Sequence, residues 1–187
     1  MLPSVDLLTA LLALQKLEHL PRTGWCQRGI DPPESIAAHV AGVSQVALAL
    51  APRVAPAISL GRVLTLVTVH DAPEALLGDL PRTAKKLLPN GAKAEAEERA
   101  ADELLGALSP EARDAFREYV AGETREARFA QLCDRLQLGL RLLAYLRSGR
   151  RGLDDFVAGL ERLDAPEFAP CEELREALCR AVREALE

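Results

Sequence analysis

The stretch RVLTLVTVHDAPEALLGDLPR, residues 62 to 82, constrains this chain most: a long apolar run stops abruptly at His70-Asp71 and is followed by Glu74 and Asp79. A His beside an Asp at the end of a buried segment offers an imidazole nitrogen and a carboxylate oxygen to one point, the ligand mix that suits borderline divalent metals. Taken alone, such a pair more often marks a capped or salt-bridged corner than a metal site. The LTLVTV run has strand propensity. No turn-separated partner strand is visible anywhere in the chain, so the expectation is a helix apolar on most sides and covered by other helices.

Two other segments supply groups of the same chemistry. PESIAAHVAGVSQVALAL carries Ile36, Val40, Val43, Ala47 and Leu50 at helical spacing, which sets His39 on or beside the inward face. TREARFAQLCDRLQLGLRLLAYL reads as a long helix with Leu132, Leu136, Leu140 and Leu143 on one stripe and Asp134 well past the first turn. Asp is a poor residue for a helix interior, and an unpaired buried carboxylate is costly. Asp134 is therefore either exposed or held by a strong partner. Together His39, His70, Asp71 and Asp134 provide two imidazoles and two carboxylates on three expected helices, with coordination positions left for water or substrate.

In that order these residues resemble the H…HD…D signature of the HD-domain metal-dependent phosphohydrolases. LPRTGW at 20 to 25, PESIAAH at 33 to 39, HDAPEALLGDLP at 70 to 81 and EARFAQLCDRLQ at 126 to 137 are similar to the branch holding the bacterial 5'-deoxynucleotidases and HD domain-containing protein 2. The resemblance runs from about Leu14 to Tyr145 and not into the segment after Gly149. It implies an all-α HD-domain helical bundle, and a length of 187 residues fits one domain over residues 1–187. It implies one divalent metal ion (Co, Mn, Zn, Ni, Fe or Mg) on His39, His70, Asp71 and Asp134, and removal of phosphate from nucleoside 5'-monophosphates, deoxynucleotides above all. Glu74 and Asp79 become the catalytic and substrate-contacting acids, with Asp79 on a sugar hydroxyl. Arg22, Trp25 and Arg28 fall in the loop that the family places near substrate phosphate. Many relatives set an acidic residue before the first metal His and a Ser after it, whereas Ala38 and Val40 stand here. Binuclear relatives need further histidines after the HD pair, and this chain has none beyond His70.

Each site residue also has a plainer role open to it. Glu74 in a first helical turn complements the helix dipole, Arg22 and Arg28 suit a solvated loop, and Trp25 suits a core anchor. Three classes of function follow: a small-molecule phosphohydrolase, a metal-binding or nucleotide-sensing HD module with little turnover, and an all-α oligomerisation domain.

Composition narrows the partners. A net charge of −5 repels a polyanion, and 4% aromatics with one Trp leave few platforms for stacking bases, so no nucleic-acid polymer is expected. The N-terminal leucines are interrupted by Asp6, Gln15 and Lys16 and lack a basic flank, which fits neither a signal peptide nor a membrane span. Cys26, Cys133, Cys171 and Cys179 show no CxxC spacing. A cytoplasmic protein with reduced thiols is expected, with a small nucleotide as partner and a homodimer left open.

Helix limits follow from punctuation. Ser4 can cap a first helix with Leu7, Leu11 and Leu14 aligned, closed by Pro21. Pro73 opens a short turn that Gly78 ends, Gly122 stops one long helix, and Thr124 caps the helix bearing Asp134.

Overall fold

The computed structural model describes residues 6–187, and among them the only strand-like pairing is an isolated bridge between Pro21 and Ser35. The fold is all-α, as the patterning predicts. Its helices are α1 (Leu7–Leu14), α2 (Thr23–Cys26), α3 (Ile36–Leu50), α4 (Leu60–Val69), α5 (Glu74–Leu77), α6 (Arg82–Lys85), α7 (Ala92–Leu108), α8 (Pro110–Ala121), α9 (Arg125–Arg147), α10 (Asp154–Glu161) and α11 (Ala169–Leu186). None of the described helices is long and apolar enough to cross a membrane. The chain packs as two units, one of residues up to Val40 with Thr68–Ala121, the other of Ala41–Val67 with Gly122–Glu187.

In the first unit Asp6 caps α1 by accepting from the Thr9 N–H at 2.9 Å; Ser4 lies outside the described residues. The helix ends at Leu14 and continues as a 3-10 turn, Gln15–Glu18, well before Pro21. Ala10 is fully buried with Ala75 and Leu104, and Ala13, Leu14 and Leu17 pack on the same cluster. Of the three leucines expected to align, Leu7 and Leu11 instead stand exposed beside Leu8 and Leu12. The reason is size: small Ala10 and Ala13 bring the α1 backbone close to α7, so the inward face is one turn of alanine flanked by Leu14. Helices α7 and α8 pack together, and Arg117 on α8 bonds Glu98 at 2.5 Å and Asp102 at 2.9 Å on α7.

In the second unit α9 is the central helix, with α10 and α11 packed on it. Thr124 caps it by accepting from the Ala127 N–H at 3.1 Å. The contact with α10 and α11 is close at Gly139, where a Cβ would stand 2.9 Å from a Leu160 methyl and 3.2 Å from one of Leu178. Leu132, Leu136 and Leu143 are buried, but Leu140 is 39% exposed and leaves the stripe. Each four-residue step advances about 40° around a helix, so two such steps from Leu132 carry Leu140 past the edge of the core. The α4 helix is not covered on every side either: Gly61, Thr65 and Thr68 form an exposed strip, with the Thr65 hydroxyl donating to the Gly61 carbonyl at 3.0 Å.

Candidate active site

The chemistry gathers in the first unit, where the end of α4 meets the start of α3. His39 is fully buried on the first turn of α3, its N–H bonded to the Ser35 carbonyl at 2.9 Å. The chain leaves α4 at Val69, and His70-Asp71-Ala72-Pro73 forms the turn into α5; the Ala72 N–H reaches the Val69 carbonyl and the Glu74 N–H reaches the Asp71 carbonyl, both at 3.1 Å. That turn throws His70 and Asp71 toward His39. Asp71 Oδ2 lies 3.3 Å from His70 Nε2 and 3.7 Å from His39 Nε2. The two imidazole rings meet edge to face with centroids 5.5 Å apart, and Tyr119 of α8 packs on His70 at 5.1 Å.

These three residues offer ligand atoms within 4.8 Å of one another. Two ligands each about 2.1 Å from an ion stand about 3.0 to 3.4 Å apart in octahedral or tetrahedral geometry, close to the 3.3 and 3.7 Å between the Asp71 oxygen and the two imidazole nitrogens. Two buried imidazoles beside one carboxylate are thus a donor set of the right kind and spacing for a divalent transition metal. Burial raises the pKa of Asp71, but His70, Arg22 and His39 outweigh it and hold the carboxyl well below the usual carboxylate range. Arg22 Nη1 stands 3.2 Å from the same Oδ2, with its side chain 19% exposed.

Glu74 opens α5. Its Oε2 is buried with no hydrogen-bond partner among the described residues. Burial, with the nearby charges of Asp71 and Asp79, pushes this carboxyl up to about 9. Gly78, at φ +73°, closes α5 in a conformation that L side chains rarely adopt and delivers Asp79 to the next corner. There Asp79 Oδ2 accepts from the Thr23 N–H at 2.6 Å and the Thr23 hydroxyl at 3.0 Å.

The remaining expected site residues are placed differently. Trp25 is 1% exposed, which fits a core anchor. Arg28 is exposed at the end of the same loop. Asp134 is half-buried midway along α9, in the second unit. Sequence reasoning passed over Thr23 and Tyr119. Tyr119 has no signal in the sequence, whereas Thr23 lies inside the LPRTGW block and could have been read as a partner for a nearby acid.

This geometry, an all-helical fold with a His-His-Asp cluster at a helix end, is that of the HD phosphohydrolases. A model of the HD domain family matches residues 14–161, and the chain belongs to that family. The match extends past Tyr145, the limit set by the motifs, into α10. A 5'-deoxynucleotidase of Xenopus laevis is 32% identical over 162 residues, covering 81% of this chain and 76% of the relative. A protein of Pyrococcus horikoshii OT3 known from a crystal structure is similar in fold, with a TM-score of 0.80 and 30% identity over 93% of this chain and 99% of that one. A predicted metal-dependent phosphohydrolase from Magnetospirillum magnetotacticum MS-1 matches with a TM-score of 0.69 and 25% identity over 96% of this chain and 93% of that one.

Proposed function

We propose that this chain is a metal-dependent phosphohydrolase that removes phosphate from nucleoside 5'-monophosphates, with deoxynucleotides preferred. The observation that carries the reading is the convergence of His39, His70 and Asp71 on one point beside a buried Glu74, in a chain of the HD domain family. Its relatives named 5'-deoxynucleotidases supply the substrate class.

His39, His70 and Asp71 would hold one divalent ion, and Asp134 joins them on the strength of the H…HD…D order. When bound, that ion supplies Lewis acidity toward the phosphoryl oxygens and lowers the pKa of water. The chain's own residues do the rest. Asp71, ionised and turned to both imidazoles, keeps negative charge at the ligand point. Arg22, on a loop entering the site, offers a planar fork that matches two phosphate oxygens. Glu74, with a buried carboxyl oxygen close to Asp71, is the group placed to hand a proton to the leaving sugar oxygen or take one from the attacking water. Asp79 accepts from a sugar hydroxyl. Arg28 and Trp25 belong to the same loop, Arg28 contributing positive charge from the surface and Trp25 supporting the wall from inside.

The reading includes a cytoplasmic location, supported by four free cysteines of which three are buried. It also includes a homodimer, supported by the uncharged face of Leu7, Leu8, Leu11 and Leu12 on α1.

The test compares phosphate release from deoxyadenosine 5'-monophosphate, adenosine 5'-monophosphate, deoxyadenosine 5'-triphosphate and deoxyadenosine 3'-monophosphate at saturating divalent metal. The expected order puts the 5'-monophosphates well ahead, the deoxy form first. Preference for the triphosphate, or equal rates on 5'- and 3'-monophosphates, would defeat the reading.

A further inference from the structure

The bond between Thr23 and Asp79 plays no part in assembling the ligand cluster, yet it joins the two sides of the site. Asp79 Oδ2 receives the Thr23 N–H at 2.6 Å, and the Thr23 hydroxyl lies 3.0 Å from that oxygen and 3.1 Å from the Asp79 carbonyl oxygen. The two residues are 56 apart in sequence. Thr23 is the first residue of α2 and follows Arg22, whose side chain gives no cap and reaches Asp71 instead. Asp79 therefore satisfies the loop backbone that carries Arg22.

A carboxylate held by one donor can turn about that bond, whereas two donors on the same oxygen fix its plane. The single hydroxyl proton of Thr23 goes to the charged Oδ2, the nearer and stronger of its two acceptors; with Oδ2 so occupied twice, Oδ1 is the acceptor left over, and among the described residues it makes no hydrogen bond. A half-buried acceptor in a fixed direction can pair with one substrate hydroxyl, and a site that does so disfavours an analogue lacking it. The Thr23 hydroxyl is the only one of the two donors that a side-chain substitution removes, since the backbone N–H stays.

We propose that Thr23 is a positioning residue that sets sugar specificity, fixing Asp79 so that Oδ1 faces the 3'-hydroxyl of the nucleotide. This rests on the reading of Asp79 as the sugar contact. It predicts an effect on discrimination, which a loop staple alone would not have.

The experiment measures kcat/KM for deoxyadenosine 5'-monophosphate and for its 2',3'-dideoxy analogue in the wild type and in Thr23→Val, Thr23→Ala and Thr23→Ser, with the divalent ion that best supports the wild type. Thermal melting of each variant identifies any that does not fold. The wild type should strongly prefer the substrate with a 3'-hydroxyl. Thr23→Val and Thr23→Ala should lose about tenfold or more of that preference, the scale of one hydrogen bond to a charged group, while Thr23→Ser restores it. Folded Val and Ala variants that keep the full wild-type preference, even with both rates lowered together, would overturn the proposal for Thr23. A wild type indifferent to the 3'-hydroxyl would instead overturn the sugar-contact reading of Asp79, and the inference with it.

Discussion

Burial and the charges of Asp71 and Asp79 leave Glu74 protonated at neutral pH in the metal-free chain. Its carboxyl rises from 4.5 to about 9 on folding, so between those values the folded state holds a proton that the unfolded chain has released. Stability must then fall as pH rises through that window, by up to about 1.4 kcal/mol per pH unit for this group. In chelator-treated protein, denaturant unfolding between pH 5 and 9 should show that decline, and Glu74→Gln, which mimics the protonated acid, should flatten it. The same variant should keep bound metal and lose activity on the order of 100-fold or more. An unchanged pH slope, or near-normal turnover, would reduce Glu74 to a helix-capping acid. At this scale His39, His70 and Asp71 were legible because helical spacing and an abrupt polar stop are local signals. Tyr119 against His70 was not, since a contact between residues so far apart in sequence leaves no local pattern. Trp25 was legible only as a choice between core anchor and substrate contact, and its burial fits the anchor.

Elements are where punctuation served best. Pro73 and Gly78 bracket α5, Gly122 and Thr124 bracket the start of α9, and all four act through backbone conformation or capping that a single sequence displays. Periodicity was less reliable. Leu140 leaves the α9 stripe because a four-residue step overshoots a full turn, and α1 turns Leu7 and Leu11 outward because alanines fit the close approach to α7. The turn at Gly78 also ties element to site. No heavy atom would crowd a Cβ there, so the cost of Gly78→Ala is conformational, about 1 to 3 kcal/mol for an L-residue at φ +73°, ψ 162°, a region almost restricted to glycine. The variant should melt lower. Because Gly78 aims Asp79, KM for a 5'-deoxynucleotide should rise as well. A lower melting temperature with unchanged KM would show that the corner adjusts without moving Asp79.

For the whole molecule, the sequence made the fold class plain, because no segment offers a strand partner and every long apolar segment repeats at helical spacing. The division into two units was not visible, since each unit takes its residues from two separate stretches of chain and two of the three cuts fall inside helices, α3 and α4. The proposed phosphohydrolase activity depends on a metal at His39, His70 and Asp71, whose ligand atoms lie within 4.8 Å of one another. The most direct measurement is inorganic phosphate released from deoxyadenosine 5'-monophosphate by protein stripped with a chelator, then resupplied in turn with Mn, Co, Zn, Ni, Fe or Mg. Activity should vanish on stripping and return with at least one of these ions in the wild type, and should return with none in Asp71→Asn. Phosphate release that survives stripping, or a wild type inactive with every ion, would contradict the account.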